Sequence, residues 1–203
     1  MTTEDTTLPF LPPILASGSP RRRQWLEALQ IPHEIRKPEV DETPLPGEDP
    51  ELMVERLARA KAEVVSLANP GRWVIAADTI VAVDHHVLGK PSGGEDAVRM
   101  LGLIQGRNHE VHTGLCLRRD DVVHSFVDTA DVFLRPMSEA QVRWYVSTGE
   151  PMDKAGAYAA QGIAALFVAR IDGSFATVMG CPGERFGRLT QGLGLLGEWL
   201  RMP

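Results

Sequence analysis

Between Val74 and Val83 the chain runs Val-Ile-Ala-Ala-Asp-Thr-Ile-Val-Ala-Val, ten residues in which only Asp78 and Thr79 are polar. An apolar run of this length, rich in β-branched residues and bounded by turn signals, reads as a strand buried on both faces. Such a strand needs cover on each side, so the run demands a layered architecture of sheet and helix. It also poses a problem. An ionised carboxylate is costly to bury unless it is paired, bound to a metal or set at the mouth of a site. Asp78 is therefore either half of a core ion pair or a functional acid, acting as a general base or orienting a metal-bound water.

A second feature sits near the start. Ile14 to Ala16 read as the end of a buried strand that breaks through Ser17-Gly18-Ser19 into a helix, with Ser19 at the N-cap and Pro20 at the first helical position. A helix start presents free backbone N–H groups and a positive dipole end to an anion. Arg21, Arg22 and Arg23 follow at once, in a chain whose formal net charge is −6. Cations at a helix start oppose the dipole, so stability does not explain them. A bound polyphosphate does; the plain alternative is a solvated basic turn.

The rest of the chain reads as alternating elements. A first strand and helix cover roughly 14–30, with Trp25, Leu26 and Leu29 on one face, after a loose tail over residues 1–9. A Pro- and acid-rich loop, 38–50, leads into a helix opened by Asp49-Pro50 and running to about Ala68. Beyond the 74–83 strand come a helix from about Glu95 to Ile104 and strands at 109–118 and 122–134, joined at Asp120-Asp121. Ser138 and Gln141 form a capping box for a helix closed at Gly149. Two strands around Asp172-Gly173 and a last helix over about 183–200 complete an α/β pattern with a mixed sheet.

At 203 residues, 43% hydrophobic and 24% charged, the chain suits one soluble domain spanning residues 1–203, with two lobes. No apolar run approaches the ~20 residues of a membrane span, and the polar, Pro-containing start is not a secretory signal. Cys116 and Cys181 have neither zinc nor disulfide-scaffold spacing, so a cytoplasmic location is expected. The negative balance argues against broad nucleic-acid binding. The basic spots must then serve a small, definite anion.

Three more polar groups stand out. On the 51–68 helix, Val54, Leu57, Ala60, Val64, Val65, Leu67 and Ala68 define an apolar arc, and Lys61 falls near its middle. It must snorkel or meet a negative partner. Lys90, in Gly89-Lys90-Pro91, and Glu42, closing Glu39-Val40-Asp41-Glu42, look like surface charges when taken alone. The small-residue stretch Asp153 to Gly162 lets backbone approach a ligand closely and offers Lys154, Tyr158 and Gln161 as cation, ring and amide; a flexible loop shares that composition. His109-Glu110-Val111-His112 lacks the spacing of a zinc helix, and neither a P-loop nor a Gly-x-Ser-x-Gly elbow occurs. Trp25, Trp73, Trp144 and Trp199 are scattered and read as core.

Taken together the sequence resembles the Maf family of nucleoside triphosphate pyrophosphatases. The resemblance covers about 14–190 and rests on L-A-S-G-S-P-R-R at 15–22, E-V-D-E at 39–42, L-A-x-x-K at 57–61, A-D-T at 77–79, G-K-P at 89–91, T-G at 113–114, D-K-A-G-A-Y-x-x-Q-G at 153–162, G-S at 173–174 and V-x-G-x-P at 178–182. It implies an elongated α/β fold with a mixed, twisted sheet, flanking helices and a cleft between two lobes, as in the inosine triphosphate pyrophosphatases. It implies hydrolysis of a nucleoside triphosphate to the monophosphate and pyrophosphate with a divalent cation, Mg²⁺ or Mn²⁺, held by Glu42 and Asp78. Asp78 is then the catalytic base, with Lys61 and Lys90 beside it. Ser17, Arg21, Arg22, Thr79, Lys154 and Gln161 are the expected substrate-binding residues.

Arg21, Thr79 and Gln161 resemble the branch that hydrolyses dTTP and UTP, where a neutral amide matches the donor–acceptor edge of a pyrimidine. The 7-methyl-GTP branch carries Trp, Gln and Glu instead, a set suited to a cationic purine. The rival readings are that 7-methyl-GTP activity and a nucleotide-binding regulator of septum formation that does not hydrolyse. A homodimer is a family-level expectation, and neither nucleic acid nor membrane is an expected partner.

Overall fold

The apolar run folds as β3 (Val74–Val83), with every residue but Thr79 buried, in a computed structural model that describes residues 11–200. The tail expected over residues 1–9 lies outside the described residues. A seven-stranded mixed sheet forms around β3. β1 (Ile14–Ala16) pairs in parallel with β2 (Glu34–Ile35) on one side and with β3 on the other. β4 (His86–Leu88), β5 (Asn108–Arg119), β6 (Val122–Leu134) and β7 (Val168–Asp172) add antiparallel pairings, giving the order β2-β1-β3-β5-β6-β7 with β4 also on β3.

One detail of register positions everything that follows. β5 lines one edge of β3 from Val74 to Ala82. On the other edge β1 reaches only Ala76, and β4 begins only at Val81. Among the described residues no strand covers that edge from Ala77 to Ile80. The opening lies beside the carboxyl end of β1, the place where α/β sheets bind ligands.

α2 (Pro50–Leu67) covers one face of the sheet. Asp49 caps it by accepting from the Glu51 N–H at 2.9 Å, and Pro50 takes the first turn. Ala58, Ala62 and Val65 pack on Val74 and Ala76, while Met53, Val54 and Leu57 pack on Ile80. The buried stripe therefore runs 54-57-58-61-62-65, and Lys61 is inside it. The sequence arc is rotated slightly from this stripe, for Val64 and Leu67 are exposed. Gly114 on β5 admits the helix: a Cβ there would stand 2.4 Å from the Val54 carbonyl oxygen.

The opposite face is covered by α1 (Pro20–Ala28), α6 (Gly183–Gly192) and α7 (Leu195–Leu200), whose Leu26, Phe186, Leu195 and Trp199 pack on Ile75, Ala77 and Leu115. A further cluster joins Val81, Val111 and Val132 to α3 (Gly94–Ile104), α4 (Glu139–Ser147) and residues 157–167. The Ser138–Gln141 capping box forms in both directions.

Several expectations need correction. After β7 the chain makes no second strand but the short helix α5 (Phe175–Val178), because the Ser174 carbonyl accepts from the Thr177 and Val178 N–H groups. An apolar run so short does not distinguish strand from helix. The last helix divides into α6 and α7 at Gly194, whose φ of +72° is left-handed. Ser19 occupies the N-cap of α1 but its hydroxyl caps nothing; its own N–H donates to Ser17 Oγ at 3.1 Å. Trp144 is half exposed rather than core.

Candidate active site

Side chains alternate along a strand, so Asp78 and Thr79 leave the open edge of β3 toward opposite layers. Asp78 faces α2. There Lys61 Nζ donates to Asp78 Oδ1 at 2.6 Å, with about a tenth of each side chain exposed. The same ammonium lies 2.6 Å from Glu42 Oε1, contributed by the acidic loop between β2 and α2. Burial raises the Glu42 carboxyl, but the Lys61 hydrogen bond and charge, with Lys90 and Arg22 beyond, outweigh it and hold the group below its ordinary range. Two carboxylates and one ammonium thus converge on a single point and leave a net negative charge.

Thr79 faces the other layer and meets Arg22. The Arg22 guanidinium donates to Thr79 Oγ1 at 2.9 Å, to the Gly180 carbonyl at 3.1 Å and, at 3.5 Å, to Ser17 Oγ. Burial lowers its pKa, and the nearby Asp78 charge opposes that loss. Thr79 Oγ1 is 3.0 Å from Thr113 Oγ1, whose proton goes to the Thr177 carbonyl at 2.9 Å. The polarity of this relay is therefore fixed: Arg22 donates to Thr79, Thr79 to Thr113, and Thr113 to the backbone. Gly180 completes it, since its φ is +79° and a Cβ would stand 2.8 Å from Thr79 Oγ1.

Around these two clusters lies a cleft of about 700 Å³, within the range of small-ligand sites. All of the sequence candidates reach its wall: Ser17, Arg21, Arg22, Glu42, Lys61, Asp78, Thr79, Lys90, Lys154 and Gln161. Lys154 pairs with Asp153, while Gln161 stands exposed on a loop. Sequence reasoning missed Lys37. Its aliphatic chain lies over Gly18, about 3.5 Å from where a Cβ would be. Nothing but its place just after β2 could have marked it. Arg21, Arg22, Lys37, Lys61, Lys90 and Lys154 face three carboxylates in this cleft, so an acidic protein carries a locally cationic cavity. That electrostatic pattern suits a polyanion.

The pair His109 and His112 lies on β5. His109 Nε2 is 2.8 Å from the Tyr158 hydroxyl, and the rings meet edge to face. Burial pushes the His109 pKa down to about 4. Its visible task is to hold Tyr158, which lines the cleft.

The pattern for Maf-like proteins matches residues 12–193. The chain belongs to the Maf family. A dTTP/UTP pyrophosphatase of Symbiobacterium thermophilum is 48% identical over 172 residues, covering 85% of this chain and 89% of that one. One from Thermus thermophilus is 47% identical over 174 residues, with 86% and 90% covered. One from Myxococcus xanthus is 44% identical over 188 residues, with 92% and 94% covered. The solved Ham1 protein of Staphylococcus aureus is a remote likeness, at 16% identity and a TM-score of 0.44 over 60% of this chain and 70% of its own.

The Maf family implies a divalent cation at this site. Among the described residues no three His, Cys, Asp or Glu side chains group to enclose a metal. Glu42 and Asp78 nevertheless offer hard oxygen donors converging at the cleft mouth. Mg²⁺ and Mn²⁺ accept one or two carboxylates and fill the remaining positions with water and phosphate oxygens. The donor set fits. Among the described residues no helix is long and apolar enough to cross a membrane.

Proposed function

We propose that this Maf-family chain is a nucleoside triphosphate pyrophosphatase that hydrolyses dTTP and UTP to the monophosphate and pyrophosphate. The observation that carries the reading is the Lys61 bridge between Asp78 and Glu42 at the mouth of a cleft lined by cations. Its names for substrate come from the relatives; its chemistry comes from the site.

In the proposed reaction a water oxygen attacks the α-phosphorus, the bond from that phosphorus to the α–β bridging oxygen breaks, and pyrophosphate departs. Asp78 takes the proton of the attacking water. Arg21 and Arg22, at the start of α1, and Lys61, Lys90 and Lys154 balance charge on the triphosphate and the leaving pyrophosphate; such positioning is most of phosphoryl-transfer catalysis. The Ser17-Gly18-Ser19 turn grips a phosphate with backbone N–H groups. A divalent cation held by Glu42 and Asp78 would polarise the phosphates and lower the pKa of bound water.

Gln161 and Thr79 bear on the choice of base. Gln161 can donate and accept at once, as the edge of uracil or thymine requires. Among the described residues no tryptophan lines the cleft to stack on a cationic purine, which favours the pyrimidine branch over 7-methyl-GTP. With this reading go a cytoplasmic location, a homodimer, and no nucleic-acid or membrane partner. Incubation with dTTP, UTP and 7-methyl-GTP in Mg²⁺, followed by pyrophosphate release, tests it. Release from the two pyrimidine nucleotides is expected; preference for 7-methyl-GTP, or binding of all three without release, points to one of the rival readings.

A further inference from the structure

Among the described residues the Gln161 side chain meets no hydrogen-bonding partner, yet the backbone on both sides of it is tied down. Two residues before it, the Ala159 N–H donates to the Tyr145 hydroxyl at 3.1 Å. Two residues after it, the Ile163 N–H donates to Glu150 Oε1 at 2.8 Å, and the Ala164 N–H reaches Glu150 Oε2 at 3.3 Å. The two anchors are themselves joined, for the Tyr145 hydroxyl donates to Glu150 Oε2 at 2.7 Å. Within the loop the Gly162 N–H closes on the Ala159 carbonyl at 2.9 Å. A Cβ at Gly162 would fall 1.9 Å from Glu150 Oε1, so a side chain there would push the carboxylate from its place.

We infer that Tyr145 and Glu150 form a clamp that positions Gln161 for the base of the substrate. The inference rests on the reading of Gln161 as the base-contacting residue. Tyr145 is fully buried on α4 and does not line the cleft, and Glu150 is likewise absent from its wall. Both therefore act through the loop and not on the substrate. The arrangement is economical in hydrogen bonds. One hydroxyl is donor to the carboxylate and acceptor from Ala159, while the carboxylate caps the first N–H groups of the 3₁₀ turn at Ile163–Leu166. His109 anchors the preceding residue, Tyr158, so the loop is held just upstream as well.

A loop side chain without neighbours loses its orientation when its backbone loosens, and a binding group displaced by about 1 Å costs as much as 10²-fold in rate. Of the proposed phosphate-binding groups only Lys154 shares the segment that carries the clamp; those on α1, α2 and β3, and Lys90, lie on other elements.

The test compares kcat/KM for UTP with that for ribose 5-triphosphate, which carries the same triphosphate without a base. Tyr145→Phe keeps the ring and removes both hydrogen bonds of the hydroxyl, and Glu150→Gln keeps the shape of the side chain and replaces one acceptor oxygen by an amide N–H₂. Each is expected to lower kcat/KM for UTP about tenfold, mainly through KM, and to leave ribose 5-triphosphate within twofold. Gln161→Ala should do the same, and adding Tyr145→Phe to it should cost little more. If Gln161→Ala lowers the UTP value alone while both clamp variants match the wild type, the clamp is overturned and the reading of Gln161 stands. If Gln161→Ala changes neither substrate, that reading fails and the clamp fails with it. Equal losses on both substrates in the clamp variants mean general damage to the fold and also overturn the inference.

Discussion

Lys61 Nζ sits 2.6 Å from Asp78 Oδ1 across the interface between α2 and β3, with each side chain about a tenth exposed. Two charges in that setting gain from each other only while both are present. Removing one leaves the other desolvated without compensation. Glu42, more than half exposed, shares the ammonium, so on the cleft wall one cation stands between two acids.

Lys61→Met keeps the length of the side chain and deletes its charge. Asp78 and Glu42 then face each other with nothing between them. The variant is expected to lose about 3 kcal/mol of stability in urea unfolding and at least ~10²-fold in kcat. A variant as stable and as active as the wild type would show that the contact is incidental.

Thr113 lies outside the cleft wall yet accepts the Thr79 proton that completes the Arg22 relay. Thr113→Val leaves the half-buried Thr79 hydroxyl without its acceptor and takes one donor from the carbonyl of buried Thr177, at a cost of about 1–3 kcal/mol. Arg22 loses its fixed aim, so KM for UTP should rise severalfold while kcat moves less. Steady-state kinetics on the folded variant at low temperature check this.

His109 titrates at about 4 in the folded chain, against about 6.5 when unfolded, because burial disfavours its charged form. The unfolded state therefore binds the proton more tightly. The stability this neutral histidine permits is full above pH 6.5 and falls as pH drops toward 4, by roughly 3 kcal/mol at the lower end. Urea midpoints at pH 7.5 and pH 5 should show the decline. His109→Gln, which keeps a polar partner for Tyr158, should flatten it.

Much of the site was legible because charge placed in an apolar pattern is a signal that needs no structure. Asp78 interrupts a buried strand and Lys61 interrupts a buried helical stripe, and each was found from periodicity alone. Their contact was not legible, since it depends on the register of α2 over β3 and on the close approach that Gly114 allows. The opening at Ala77–Ile80 was hidden for the same reason: it arises from where β1 stops and β4 starts. Lys37 carried no anomaly in sequence and becomes visible only beside Gly18. The missed helix at Phe175–Val178 and the break at Gly194 are short-range events that hydrophobic pattern does not resolve.

Glu42 and Asp78 supply only two donors, so substrate and water must complete the shell of a bound divalent cation. Chelation should abolish pyrophosphate release, and Mg²⁺ or Mn²⁺ should restore it. Glu42→Gln weakens one donor and should raise the metal concentration giving half-maximal rate about tenfold or more. Full activity in excess chelator would remove the cation from the account.

The central claim is hydrolysis at the α-phosphorus with Asp78 as the base. Turnover of UTP in ¹⁸O-labelled water by the wild type and by Asp78→Asn tests it most directly. The label is predicted to enter UMP and not pyrophosphate, and the variant is predicted to be slower by ~10² or more. Label recovered in pyrophosphate or inorganic phosphate, or an Asp78→Asn rate close to that of the wild type, would contradict it.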